Sequence, residues 1–331
     1  MANSAPRSAK RARTDDAENQ APYDASQATR HNTHWYRDGS IVLRVENVLF
    51  RVHQTVLETH SEVFRDMSAV SQPGDEHTLD GCHTVRLHGD SSEDWAFLLD
   101  SLYNALSFFN DLAEKSLQVK LHPIAAVLRL STKYRIPAHR EQSIKILAKH
   151  FPSSDAYAPV PLADLATPEL AYDVIKVARE SNAPTLLPFA FLLICAKEPN
   201  EIASSSTLAS EDKIALLKGI IEFERKRRLY IHDHVENFVR SDDCDRSCVL
   251  NRDYEPWYGG LTENAVDWIK KGSWKAMIGA SDLGHYICRE CYDMVLEAVA
   301  IGEQAIWEAL PRIFGVGATW MELRRIQNYD T

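Results

Sequence analysis

The sequence predicts an α+β fold: a small mixed sheet capped by helices, followed by a mostly α-helical C-terminal half. Three observations lead there. Two short β-branched runs at 41–52 are separated by only two residues, a third alternating run at 84–88 arrives after a helical stretch, and 3.6-period apolar patterns dominate the rest of the chain. Strands interrupted and then followed by helices give a sheet covered by helices rather than a sandwich.

The elements follow in order. Asp38-Gly39-Ser40 reads as a turn, Ile41 to Val45 as a strand, Glu46-Asn47 as a tight connection and Val48 to Val52 as the returning strand of a hairpin. Both runs are almost continuously apolar, which predicts cover on both faces. Val56, Leu57, Val63 and Phe64 then recur at helical spacing, so two short helices are expected, broken at His60-Ser61, with Ser61 and Glu62 suited to a helix start. Ser68 to His83 is polar around Pro73-Gly74 and reads as a loop. Thr84 to His88 is the third strand. Ser91-Ser92-Glu93-Asp94 caps a helix bearing Trp95, Leu98, Leu99, Leu102 and Tyr103. Pro123 is expected to open the next helix, with Ile124, Val127, Leu128 and Ser131 inward, and Pro137 to stop it. A last helix spans 139–150, presenting Ile144, Leu147 and Ala148.

Residues 1–34 lack any apolar period and read as a tail outside the fold. Inside it, Lys10, Arg11 and Arg13 match a short basic nuclear-import signal; a charged, solvated tail accounts for them equally well. The division expected from these patterns is a tail at 1–34, a first domain at 35–151 and a helical domain with a cysteine cluster at 152–331.

The residues of the first domain also carry a resemblance. Asp38 to Leu43, the run Val48 to Leu57 with its Phe-x-Val-His step, and Ser61-Glu62-Val63-Phe64-Arg65-Asp66-Met67 together resemble the opening of a BTB/POZ domain. Leu98-Leu99-x-x-Leu102-Tyr103 and the Ala126 to Tyr134 segment fit the same template, so the resemblance spans 35–151. The whole chain is similar to the large set of BTB proteins of mushroom-forming fungi. The resemblance implies a module for self-association and partner docking; for some family members the partner is a cullin ubiquitin-ligase scaffold. The signature residues Asp38, Val52, His53, Leu57, Ser61 and Phe64 are expected to be mainly structural, with the His53 imidazole capping or bonding backbone where a strand gives way to a helix.

After Phe151-Pro152, prolines 152, 159 and 161 mark a linker. Thr167-Pro168 starts a helix with Leu170, Val174, Ile175 and Ala178 inward, 188–196 forms another, and Ser210-Glu211-Asp212 caps a third with Ile214, Leu217, Ile221 and Phe223 inward. Arg225-Lys226-Arg227-Arg228 at its end is read as a solvated face that suits the C-terminal helix dipole. Cys244-x3-Cys248 and Cys288-x2-Cys291 form two close pairs, the second just before a long helix at 292–310. Four thiolates in two pairs suit one structural zinc; buried reduced thiols and a redox Cys-x2-Cys remain open alternatives, and His285 or His232 could replace a ligand. Cys82 and Cys195 are isolated and read as inert. Trp257, Trp268, Trp274, Trp307 and Trp320 are expected to fill the core around the cysteines, and the segment from Trp307 to Trp320 to fold the last helix back.

Composition limits the function classes. A net charge of −10 gives no electrostatic footprint for a phosphate backbone, so nucleic-acid binding is disfavoured. The longest apolar run, Leu186 to Ala196, falls short of the roughly 20 residues a bilayer requires, and the polar N-terminus argues against the secretory route. Six cysteines in 331 residues are too sparse for a disulfide scaffold, and no Asn-x-Ser/Thr sequon occurs, which points to the cytoplasm or nucleus. There is no Gly-x-Ser-x-Gly elbow, no phosphate-binding loop with lysine and no His-Glu-x-x-His helix. The expectation is a non-enzymatic protein-interaction protein that associates with itself or another protein, with a cullin adaptor or a nuclear transcription-linked regulator as alternative roles.

Overall fold

The structure is a computed structural model that describes residues 28–69, 78–153, 166–195, 197–231, 240–244, 248 and 283–328. Its first part is a five-stranded mixed sheet with helices packed on one face. The strands are β1 (Thr29–Trp35), β2 (Ile41–Val45), β3 (Val48–Val52), β4 (Thr78–Leu79) and β5 (Cys82–Leu87), in the order β1-β3-β2-β5-β4. The β2–β3 hairpin is antiparallel, with Ile41 opposite Val52 and Val45 opposite Val48, while β1 runs parallel to β3 and β5 parallel to β2. Glu46 takes the left-handed backbone of the turn, with φ 52°.

Alternation along the strands explains the almost continuous hydrophobicity of the hairpin. Ile41, Leu43, Val45, Phe50 and Val52 face the helices, whereas Val42 and Leu49 join Cys82 in a second small cluster on the other face, covered by Trp35, Leu79 and Ala28.

The helices of this part are α1 (Gln54–His60), α2 (Glu62–Ala69), α3 (Ser92–Tyr103), α4 (Ala105–Ala113), α5 (Leu117–Lys133) and α6 (Pro137–Ala148). Ser91 caps α3, accepting from the N–H groups of Glu93 and Asp94, as the sequence predicts. Two expectations change. Pro123 lies inside α5 rather than at its start; the helix begins six residues earlier at Leu117, and the buried faces of Leu117 and Leu121 offset the hydrogen bond the proline cannot donate. Pro137 is the first residue of α6, so it opens a helix instead of ending one.

The strand β1 lies largely inside the segment assigned to the tail. Its sequence, Thr-Arg-His-Asn-Thr-His-Trp, has no alternating apolar set, and it is ordered by pairing with β3 and by ring contacts instead: His31 stacks on Phe50 at 4.9 Å and on His34 at 5.1 Å. The stretch read as a loop at 68–83 contributes the end of α2 and the short β4–β5 pair, in which Thr78 faces His83; its centre at 70–77 lies outside the described residues.

The C-terminal part contains α7 (Pro168–Glu180), a 3-10 turn at Pro184–Leu186, α8 (Leu187–Ile194), α9 (Pro199–Ser204), α10 (Ser210–Ile231), α11 (Leu283–Tyr286), α12 (Arg289–Ile313) and α13 (Trp320–Asn328). Every residue of α8 is buried, so it forms the centre of this half. One hydrophobic cluster runs from the sheet through α5, α7 and α8 to α12. Arg140 of α6 donates to the carbonyls of Ser181 and Asn182 beyond α7, which ties the halves together.

The inward stripe of α10 differs from expectation at Ile214 and Ile221, while Phe223 is buried as expected. Ile214 and Ile221 are exposed, at 53% and 72%, while Asp212, Leu216, Phe223 and Arg227 are buried. The buried set follows its own helical spacing and includes two charges, each paired: Asp212 with Arg179 at 2.6 Å and Arg227 with Glu224 at 2.6 Å. Arg227 is therefore part of the packed face rather than of a solvated basic run. At the C-terminus, α13 folds back as expected: Trp320 stacks on Trp307 with ring centroids 5.3 Å apart and donates its indole N–H to the Trp307 carbonyl.

Candidate functional site

Two constellations carry functional interest, the signature residues of the first part and the four cysteines. Among the signature residues, Val52, Leu57 and Phe64 are core. Phe64 stacks on Tyr134 at 5.2 Å and meets the edge of Trp95 at 6.0 Å. The buried Ser61 hydroxyl accepts from the Phe64 N–H at the start of α2 and donates to the Tyr134 carbonyl at the end of α5, so one side chain joins two helices. His53 precedes α1, but its imidazole does not cap that helix. Its Nδ1 lies 2.8 Å from the Tyr103 hydroxyl, which also accepts the His53 backbone N–H at 3.0 Å, and its Nε2 lies 3.4 Å from Asp38. The expectation that this imidazole bonds backbone is corrected: it links two side chains, closing the Asp38 turn onto the end of α3. A backbone N–H and then His53 hold the Asp38 carboxyl below its ordinary range.

Asp90 is not among the residues that the sequence marks. Its side chain is almost fully buried and accepts from the Trp95 indole, the Tyr134 hydroxyl and Lys133. Burial and then this carboxylate push the Tyr134 hydroxyl well above its ordinary value. No local pattern marks Asp90, because its partners Lys133 and Tyr134 lie 43 and 44 residues on, at the end of α5, as well as in α3.

The four cysteines converge. The sulfurs of Cys244, Cys248, Cys288 and Cys291 all lie within 4.8 Å of one another. Cys248, Cys288 and Cys291 are buried and Cys244 is half-buried. Cys288 is the N-cap of α12, so the second pair sits at the positive end of a 25-residue helix. Backbone N–H groups point at the sulfurs: Cys248 N–H to Cys244 at 3.4 Å, Cys288 N–H to Cys248 at 3.1 Å and Ser241 N–H to Cys291 at 3.4 Å. Such donors favour thiolates. A tetrahedral cation bound by four thiolates has sulfur–sulfur edges of about 3.8 Å, a distance this cluster accommodates.

As free thiols, Cys288 and Cys291 are held protonated. The Cys291 N–H favours the Cys288 thiolate, but burial and the neighbouring thiols outweigh it and push Cys288 up to about 12; burial likewise raises Cys291. A redox Cys-x2-Cys works through an accessible, readily ionised thiol, so this environment argues against that alternative. His285 lies exposed on α11, outside the four-sulfur group, and His232 lies outside the described residues. Cys82 and Cys195 are buried and apart from the cluster. The basic residues Lys10, Arg11 and Arg13, with Trp257, Trp268 and Trp274, also lie outside the described residues.

Residues 37–150 match the family model of the BTB/POZ domain. The chain carries a BTB/POZ domain. Strands β2 to β5, the α1–α2 pair and the Asp38, His53, Ser61 and Phe64 contacts fall within that match, which makes this part of the chain a protein-interaction module; β1 lies just before it. The helical part beyond the BTB domain lies outside the match. No curated protein and no solved structure matches the chain. No helix among the described residues is long and apolar enough to cross a membrane.

Proposed function

We propose that this chain is a non-enzymatic interaction protein whose BTB domain associates with a second copy or with another protein, and whose helical half is held by one structural zinc on Cys244, Cys248, Cys288 and Cys291. The observation that carries the first statement is the BTB match over a domain whose signature side chains are committed to structure: Asp38 and His53 lock a turn, and Ser61 locks two helices. Support for zinc comes from four sulfurs within 4.8 Å, backbone donors aimed at them and a helix N-terminus beneath.

A role as cullin adaptor is favoured by the helical extension, because α7 packs directly against α5 of the BTB domain and continues it. Lys10, Arg11 and Arg13 favour a nuclear role. The deciding experiment is light scattering of the full chain at two concentrations, together with affinity capture from cells. A dimer mass, or capture of a specific partner that is lost when the BTB domain is deleted, is expected. A monomer that captures nothing through that domain overturns the proposal. Co-purifying cullin selects the adaptor role, and loss of nuclear signal on replacing Lys10, Arg11 and Arg13 with alanine selects the nuclear one.

A further inference from the structure

The four sulfurs are unequal. Cys288 and Cys291 sit at the head of α12, 3% and 0% exposed, where the helix fixes their backbone. Cys248 is 7% exposed. Cys244 is the half-buried member, on a turn closed by its own N–H to the Ser241 carbonyl at 3.1 Å. The Cys248 N–H reaches back to the Cys244 sulfur at 3.4 Å, which brings the first pair together.

We propose that Cys244 is an oxidation site through which hydrogen peroxide opens the centre and releases its metal; this rests on the zinc reading above. Oxidation of a thiolate depends on access and on charge, and Cys244 offers the most access of the four. The Cys244 thiolate attacks one peroxide oxygen, the O–O bond breaks, a sulfenic acid forms and hydroxide leaves. The Cys248 thiolate then attacks the Cys244 sulfur, the S–O bond breaks, a second hydroxide leaves and a disulfide remains. Two electrons pass from the sulfur pair to peroxide, and zinc loses two of its four ligands. Cys288 and Cys291, held by α12, cannot complete a tetrahedral site alone. The consequence is a metal clasp between the 240–248 segment and α12 that opens under peroxide and is reset by a thiol reductant with zinc.

The test begins with the metal content of the full-length reduced protein, before any peroxide is added. Absence of zinc at this stage removes the zinc reading itself. Peroxide is then titrated while released zinc is followed with a chromogenic chelator, and the protein is digested with trypsin. Cleavage after Arg246 separates Cys244 from Cys248, so their disulfide appears as two joined peptides that part on reduction. The expected result is one zinc released for each Cys244–Cys248 link. Zinc retained under peroxide, or release accompanied by a Cys288–Cys291 link with Cys244 still reduced, overturns the proposal. Cys244→His keeps a zinc ligand and removes the thiol, and its release is expected to slow about tenfold; equal release from this variant and the unsubstituted chain also overturns it. If the variant holds no zinc, the peptide map of the unsubstituted chain decides.

Discussion

Asp90 is buried among donors from two helices: the Trp95 indole, the Tyr134 hydroxyl and the half-exposed Lys133. Removing the carboxylate leaves two buried donors without a partner. Asp90→Ala is expected to cost about 2–4 kcal/mol in urea unfolding, most of it from the indole and hydroxyl, because the Lys133 ammonium still reaches water. Asp90→Asn keeps an acceptor and is expected to cost less. Histidines set a second prediction at this scale. Burial lowers the values of His31, His34 and His139 below the ordinary 6.5, with Asp100 opposing the shift at His31 and His34, and the Ser101 carbonyl opposing it at His139. A lowered folded value means that the unfolded chain takes up protons first as pH falls. Stability from these groups is therefore complete above about pH 6.5 and declines below it. The urea midpoint is expected to drop between about pH 7.5 and 5.5, with a smaller drop in His34→Gln.

At the scale of elements, α10 and α12 show how one contact sets an interface. A Cβ built on Gly219 of α10 would fall 2.2 Å from the Phe314 ring, and Phe314, 1% exposed, packs against Phe191 of α8 with ring centroids 5.5 Å apart. Gly219→Ala would gain about 1 kcal/mol of helix propensity but overpacks a fixed ring at a cost of about 1–3 kcal/mol, so net destabilisation is expected in thermal unfolding. A stabilised variant would mean that Phe314 moves freely. The end of α12 uses the left-handed backbone of Gly315, φ 64°, with the Val316 N–H returning to the Pro311 carbonyl. Arg135 and Asn182 end α5 and α7 in the same backbone region, which a sequence search for glycine does not detect.

At the scale of the whole molecule, a single core passes from the BTB sheet into the helical half, and the cysteine centre lies at the far end of α12 from the Trp307–Trp320 stack. A metal on the four cysteines would join Cys244 and Cys248 to the head of α12. Chelation is expected to lower the unfolding temperature and to unmask four thiols to a thiol reagent. A chelated protein with an unchanged melting curve and no newly reactive thiols would place no metal there.

What the sequence determined by itself was local. The β2–β3 hairpin, the Ser61 break, the Ser91 cap, the Thr167-Pro168 start and the two cysteine pairs are each written in a few consecutive residues, through turn chemistry, capping groups or ligand spacing. The outward turn of Ile214 and Ile221, the strand β1, the Asp90 donors and the His53–Tyr103 link were decided only in the tertiary structure. Each depends on partners distant in sequence: β1 is polar and gains order from β3 and Phe50, while α10 turns the face that fits Phe314 and Arg179 inward in place of its most hydrophobic one. The four sulfurs belong to both levels. Their spacing showed two pairs, and only the fold brought the pairs within reach of one metal ion, because 39 intervening residues place no constraint on where a chain returns.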